Sequence, residues 1–284
     1  MSHHDHTEEH EHSFSLWLFV IIVVSSLALV FAVLRLVAPH IWHSERASSA
    51  TVLLNTFLIA HLCNAYVEYF FHRYVLHAPL IPFLKTLYKK HTRHHALTHV
   101  VYRPSKTQPE EGIVENVFPI LEEKQHESSF FPWYSFLAFA AISTLVYIPI
   151  HLVFPDIPIF TMGYLSVAWS LALYEILHAI QHWSLEKWSP LLESKRFGWL
   201  WKILYGFHLR HHADIKSNES ISGFFGIPIP DFTFRTWVNP KTMYKHKEPG
   251  TRSQFIPPRP VFLIRWLDVL AEKSKKPSRK PAQV

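Results

Sequence analysis

Ten of the 22 histidines in this 284-residue chain fall into four tight groups. They are His72 and His77 in "HRYVLH", His91, His94 and His95 in "HTRHH", His178 and His182 in "HAIQH", and His208, His211 and His212 in "HLRHH". Imidazole binds iron, zinc, copper and nickel alike, so the side chains alone do not name a metal. Their number says more. A structural zinc takes about four ligands and a catalytic zinc about three from the protein; ten suit two ions with around five each. The expectation is a binuclear site built from these ten residues.

On a helix, positions three or four apart share a face. His91 with His94 and His95, His178 with His182, and His208 with His211 and His212 are therefore each expected to converge on one spot. His72 and His77 are five apart, roughly 140° around an ideal helix. They should serve different metals, or meet only where the helix distorts ahead of Pro79, which disfavours helical geometry at Ala78. His99 continues the His95 face and is an eleventh candidate. His3, His4, His6, His10 and His12 alternate with acids in a leader that reads as a solvated tail binding metal loosely. His40, His43, His61, His126, His151 and His246 are isolated and read as non-ligands.

Carboxylates are largely absent from the groups. A carboxylate-bridged di-iron bundle needs two Glu-x-x-His units on facing helices. Only Glu175 with His178 qualifies, because Glu9 with His12 and Glu123 with His126 lie in a polar tail and a loop. Glu68 and Glu175 each precede a group by one helical turn. They are expected to accept from the free ring nitrogens of His72 and His178 and to offset metal charge, with Asp214 a third candidate.

The elements that must position these residues begin in the membrane. Leu16 to Val37 is nearly uncharged, and at about 1.5 Å per residue it is long enough for a hydrocarbon core about 30 Å thick. Its acidic leader and the lack of a small-residue cleavage site point to a retained span. Ala50 to Phe71, Trp133 to Phe154 and Ile157 to Leu177 are three further spans, the first of them carrying Asn55, His61, Asn64 and Glu68 and so expected to pack against protein. Four spans put both termini and the segment from His72 to Pro132 on one face. That segment is rich in Lys and Arg, so the shared face is expected to be cytoplasmic.

The expected fold is all-α: a polytopic membrane protein with about four transmembrane helices and a cytoplasmic helical cap carrying the histidine-rich dimetal site. Residues 1–15 form a disordered leader, 16–268 the domain and 269–284 a basic disordered tail. The net charge of +6 resides partly in that tail, which suits anionic headgroups rather than nucleic acid. The only cysteine, Cys63, lies in the second span and excludes a disulfide framework.

The four motifs, H-x-x-x-x-H, H-x-x-H-H, H-x-x-x-H and H-x-x-H-H, in this order and after transmembrane spans, resemble the integral-membrane fatty acid hydroxylase and sterol desaturase superfamily. The resemblance covers roughly Glu68 to Asp231. It implies that the ten clustered histidines hold two iron ions, with zinc able to substitute in purified protein. It also implies oxygen-dependent attack on an unactivated C–H bond of a lipid, with a fatty acyl chain or acyl lipid the leading substrate. A sterol- or carotenoid-type oxidase or desaturase of the same superfamily is the alternative. No fused haem-binding domain is recognisable, so electrons are expected from a separate donor protein, a ferredoxin or a cytochrome b type with its reductase. Membrane lipids are the other expected partners.

Two segments depart from that resemblance. "SNESISGFFGIPIPDFTFRTW" lacks the compact ending of many members, and the acidic loop Val100 to Pro132 reads as a solvated insertion. Phe224, Phe225, Phe232, Phe234 and Trp237 suit an interfacial belt better than an acyl groove. A divalent metal transporter or metal-binding membrane protein is the reading from another class, motivated by the leader, but transporters place ligands near the membrane midplane and only His61 is so placed. With no retention signal at "KPAQV", a bacterial inner membrane and an endoplasmic reticulum both remain allowed.

Overall fold

A computed structural model describes residues 15–107, 110–239 and 245–275. Residues 1–14 of the leader expected to be disordered, and Lys276, Arg279 and Lys280 of the tail, lie outside them, whereas Ser15 is ordered as a helix cap.

Helix α1 (Leu16–Val37) starts at Ser15, whose hydroxyl accepts from the Leu18 amide at 3.3 Å. After the short α2 (Pro39–Arg46), with proline in its first turn, Ser49 caps α3 (Ala50–Phe71) in the same way. Such caps satisfy amides that a helix start leaves unpaired. The remaining helices are α4 (Lys85–Leu97), α5 (Glu123–Ser129), α6 (Ser135–Val153), α7 (Ile159–Gln181), α8 (Leu185–Leu192), α9 (Gly198–Ala213), α10 (Ile229–Phe234) and α11 (Phe262–Lys275). Residues 269–275 of the expected tail thus belong to a helix.

Four helices are long and apolar enough to cross a membrane: Leu16–Val37, Ala50–Leu76, Ser135–Val153 and Ile159–Gln181. The second and fourth run past the ends expected from sequence because each continues into a histidine motif. Helix α7 is the axis of the bundle. Phe160, Tyr164, Val167 and Leu171 on α7 pack with Phe19 and Val23 of α1 and with Phe136, Ala140 and Tyr147 of α6. The buried Glu45 carboxylate at the end of α2 caps α7, accepting from the Phe160 amide at 3.1 Å and the Thr161 amide at 2.7 Å. Apolar residues such as Trp17, Ile21, Leu36 and Leu152 point outward, as lipid-facing residues do.

The all-α expectation is corrected by a three-stranded antiparallel sheet, β1 (Val100–Pro104), β2 (Glu111–Asn116) and β3 (Glu248–Thr251), in that order. Val100 pairs with Asn116, and Val114 with Glu248. The segment read as a solvated insertion is therefore a folded part of the cap. Its buried side is apolar: Val100, Val114 and Phe118 pack on Trp188, Tyr205 and Leu209. Glu111 and Glu115 lie on the other side of β2, in keeping with a sheet that has one solvated face, while Glu123 and Glu127 belong to α5.

Gly163 lets α6 and α7 approach, since a Cβ there would lie 2.6 Å from the Tyr147 ring. Small residues permit this closeness between membrane helices. Gly163→Leu is expected to cost on the order of 1–3 kcal/mol through overpacking, visible as a lowered thermal midpoint of the detergent-purified protein.

Candidate metal centre

The ten histidines form two groups of five: His72, His77, His91, His95 and His211, and His94, His178, His182, His208 and His212. Within each group the ligand atoms lie within 4.8 Å of one another. Nine of the residues are buried and His95 is half-buried. The groups adjoin, with the His95 and His212 rings stacked at 4.0 Å between centroids.

Helix geometry explains the partition and corrects the expectation that each triplet converges on one spot. His91 with His95, His178 with His182 and His208 with His212 are each four apart and share a group. His94 and His211 are three after the first histidine of their motifs, and each turns to the other group. At 100° per residue, a position four on lies 40° ahead of its predecessor and one three on lies 60° behind, so the middle histidine of H-x-x-H-H points elsewhere.

His72 and His77 meet because α3 distorts. Residues His72–Leu76 form a π turn, with the His77 amide donating to the His72 carbonyl at 3.1 Å. The wider turn carries about one extra residue, which brings positions five apart onto one face. Of the two alternatives open in the sequence, the distorted helix is the one observed.

The outer ring nitrogens fix the inner ones. His72 Nδ1 donates to the Glu219 carbonyl at 2.6 Å, His211 Nδ1 to Ser217 at 2.8 Å, His182 Nδ1 to Phe118 at 2.7 Å, and His212 Nδ1 to Thr98 at 2.5 Å. A carbonyl can only accept, so these rings carry their proton on Nδ1 and, when neutral, a lone pair on Nε2. His94 Nδ1 meets the Ser129 hydroxyl at 2.8 Å.

All ten rings turn Nε2 inward. Contacts between Nε2 atoms run from 3.0 Å, as in His72 with His91, to 3.2 Å, as in His94 with His178. The protons available cannot satisfy all of these contacts in neutral rings, and facing lone pairs repel. A cation at each centre removes that repulsion, so the donor set fits two metal ions. Each group offers five such nitrogens, more than the four a closed tetrahedral site uses.

The acids stand where sequence did not place them. Glu68 does not reach His72. It accepts from the Ser222 amide at 2.8 Å, the Gly223 amide at 3.1 Å and the Ser222 hydroxyl. Gly223 is required there, having φ +48° and no room for a Cβ beside the Ile227 carbonyl. Glu175 accepts from the Phe131 amide at 2.7 Å, while its second oxygen and His178 Nδ1 both lack a hydrogen-bond partner. Asp214 faces Arg210 at 3.7 Å and meets no histidine. His99 turns to Glu115 at 3.4 Å and lies outside both groups.

The acid closest to the outer nitrogens is Glu219, with Oε2 3.7 Å from His72 Nδ1 and 4.0 Å from His211 Nδ1. Its other oxygen holds Arg73 at 2.8 Å, and Arg73 forks onto Asp268 of α11 at 2.8 and 2.7 Å. Glu219 sits in the segment Ser217–Trp237, which is the rear wall of the centre. No motif marks it. Its only sequence signal is a lone acid seven residues after His212 in a stretch that the chain buries completely.

A cavity of about 120 Å³ lies between α3, α6 and α7 and reaches His72. Val67, Phe71, Phe131, Leu171 and Tyr174 line it. None of Phe224, Phe225, Phe232, Phe234 and Trp237 does. Compared with protein-family models, curated proteins and solved structures, the chain matches none. What the chain itself defines is a mostly helical protein with four candidate membrane-spanning helices and a buried cluster of histidines able to hold metal.

Because the groups share no residue, His94→Ala and His211→Ala should each lower metal content by about one ion per chain, measured by elemental analysis after metal loading; equal loss of both ions would show a merged site. A pH dependence follows as well. Burial holds His77, His91, His94, His95, His208, His211 and His212 well below 6.5 and His182 at about 3, with neighbouring histidine rings adding to the effect at each of them. The unfolded chain then binds more protons than the folded one below about 6.5, so stability is lost as pH falls through that value, at up to about 1.4 kcal/mol per unit for each such residue. The metal-free protein should show a falling thermal midpoint from pH 7 to 5, and the loaded protein a smaller fall.

Proposed function

We propose that the chain is a membrane-bound, oxygen-dependent di-iron oxidoreductase that hydroxylates a fatty acyl chain or acyl lipid. The observation that carries this reading is the pair of adjoining five-histidine groups placed beside an apolar cavity between candidate membrane helices. Two iron ions, bound by His72, His77, His91, His95 and His211 and by His94, His178, His182, His208 and His212, would supply oxygen activation and oxidise an unactivated C–H bond. Redox-active metals with open positions are what such chemistry needs.

The chain's own residues bind and orient the substrate. Val67, Phe71, Leu171 and Tyr174 present an apolar wall that accepts alkyl groups and excludes water. A groove lined by Tyr66, Val67, Phe70, Phe71 and Val75 lies on the outer side of the same stretch of α3. Val67 and Phe71 border both spaces, so a lipid chain can enter sideways past them. Glu68, which also lines the cavity, holds the rear wall by accepting from the Ser222 and Gly223 amides. Electrons come from a separate carrier at the cap, and the Lys and Arg residues between His72 and Pro132 support a cytoplasmic position for it, in a bacterial inner membrane or endoplasmic reticulum.

The test is metal content of detergent-purified protein together with Mössbauer spectroscopy of iron-57-enriched material. About two coupled irons per chain are expected; two zincs that iron cannot replace would overturn the redox reading. In the same preparation, Leu171→Trp should fill the cavity and suppress formation of oxidised lipid while metal content stays unchanged.

A further inference from the structure

Helix α11 has two apolar sides, and the protein covers only one. Ile264, Leu267 and Ala271 turn inward, where Leu267 and Ala271 pack with Phe70, Tyr74 and Ala78. Asp268 on the same side receives Arg73 at 2.8 and 2.7 Å and the Tyr74 hydroxyl at 3.0 Å. At 100° per residue, Phe262, Leu263, Trp266, Val269 and Leu270 fall within an arc of about 120° on the opposite side. All five are exposed, Phe262 at 75% and Trp266 at 51%. That outward arc has no protein partner among the described residues.

Its position says what covers it. Tyr74 lies in the last turn of the second candidate span and Ala78 two residues past its end at Leu76. The helix they hold therefore lies where the chain leaves the apolar layer. Arg265 and Lys273 are exposed near the arc, and Lys275, Lys276, Arg279 and Lys280 follow in the sequence. An aromatic, apolar face flanked by cations is the composition that binds an anionic bilayer surface. Beneath the helix a cavity of about 40 Å³, lined by Arg73, His77, Asp268 and Ala271, leads to the first histidine group.

We infer that α11 is an interfacial helix that seats on anionic lipid headgroups, with its outward arc at the boundary between headgroups and acyl chains. Its inner face then covers the His77 side of the histidine cluster. The lipid is recognised by its negative charge and its apolar boundary together, and neither requires that the centre handle oxygen.

The experiment uses the full chain in nanodiscs. Cys63, the only cysteine, is changed to Ser, and Leu270→Cys carries a nitroxide; Val269→Cys is the second site should the first variant fold poorly. Collision of the label with oxygen, which partitions into lipid, is compared with collision with a water-soluble nickel chelate. Discs hold either phosphatidylcholine alone or an equal mixture with phosphatidylserine, and Glu110→Cys, on the exposed Glu110, gives the solvent reference. The oxygen-to-nickel ratio at position 270 is expected to exceed the reference several-fold on the anionic discs and to drop on the neutral ones. Arg265→Glu with Lys273→Glu should lower it on the anionic discs. A ratio no higher than the reference, or one identical on the two lipid mixtures, overturns the proposal. Dipolar coupling between labels of two chains in one disc, with nickel excluded on both mixtures, would put a second copy on this face and overturn it as well.

Discussion

Neutral imidazoles packed with their lone pairs facing one another repel, and the architecture of the cap follows from enforcing that arrangement. Left free, each ring would rotate or take a proton. Four of them are prevented from rotating by donating Nδ1 to a backbone carbonyl, at Glu219, Ser217, Phe118 and Thr98. These carbonyls come from three separate stretches of chain, each non-helical at that point, because a carbonyl inside a helix is already used. A bond from the outer nitrogen to an acceptor fixes both the tautomer and the ring direction. The irregular segments therefore set the chemistry, and the helices set the spacing.

This division explains why so much of the cap is polar and buried. The stretch Ser217–Ser222 is almost wholly inaccessible, and it is held by Asp231, whose carboxylate accepts from the Glu219 and Ser220 amides at 2.9 Å each. Burying polar groups is costly unless they are bonded. Asn218, with φ +55°, completes the wall by bonding to the Phe207 and Val238 carbonyls. Arg73 ties this wall to α11 through Asp268, so a residue between the first two histidines links the centre to the far end of the domain.

The spans and the histidines were legible because simple lengths govern them. Bilayer thickness sets how long an apolar run must be, and helical pitch sets which histidines sit four apart. The π turn was legible only as an alternative, since Pro79 signals strain without saying where the helix yields. The direction of His94 and His211 depends on which neighbour faces each side of the helix, and no local pattern encodes that. The sheet escaped notice because β1 and β2 are short runs within a strongly acidic stretch, and β3 lies more than a hundred residues beyond its partner. Glu68 was misplaced for a related reason: its position one turn before His72 is real, but Ser222 and Gly223 compete for it from 154 residues away.

The π turn at His72–Leu76 has a consequence for how such a centre tolerates change in chain length. A π turn is equivalent to one residue inserted into an α-helix. Losing any single residue between His72 and His77 would let the segment relax to an unstrained α-helix of better local geometry. The two histidines would then stand four apart, about 40° from each other around an α-helix, so the chain downstream, with α4 and its three histidines, would stay nearly in phase. The π turn thus absorbs a difference of one residue in chain length, and it is relaxation to α-helix with every residue kept that would turn His77 away from His211, by about 90°.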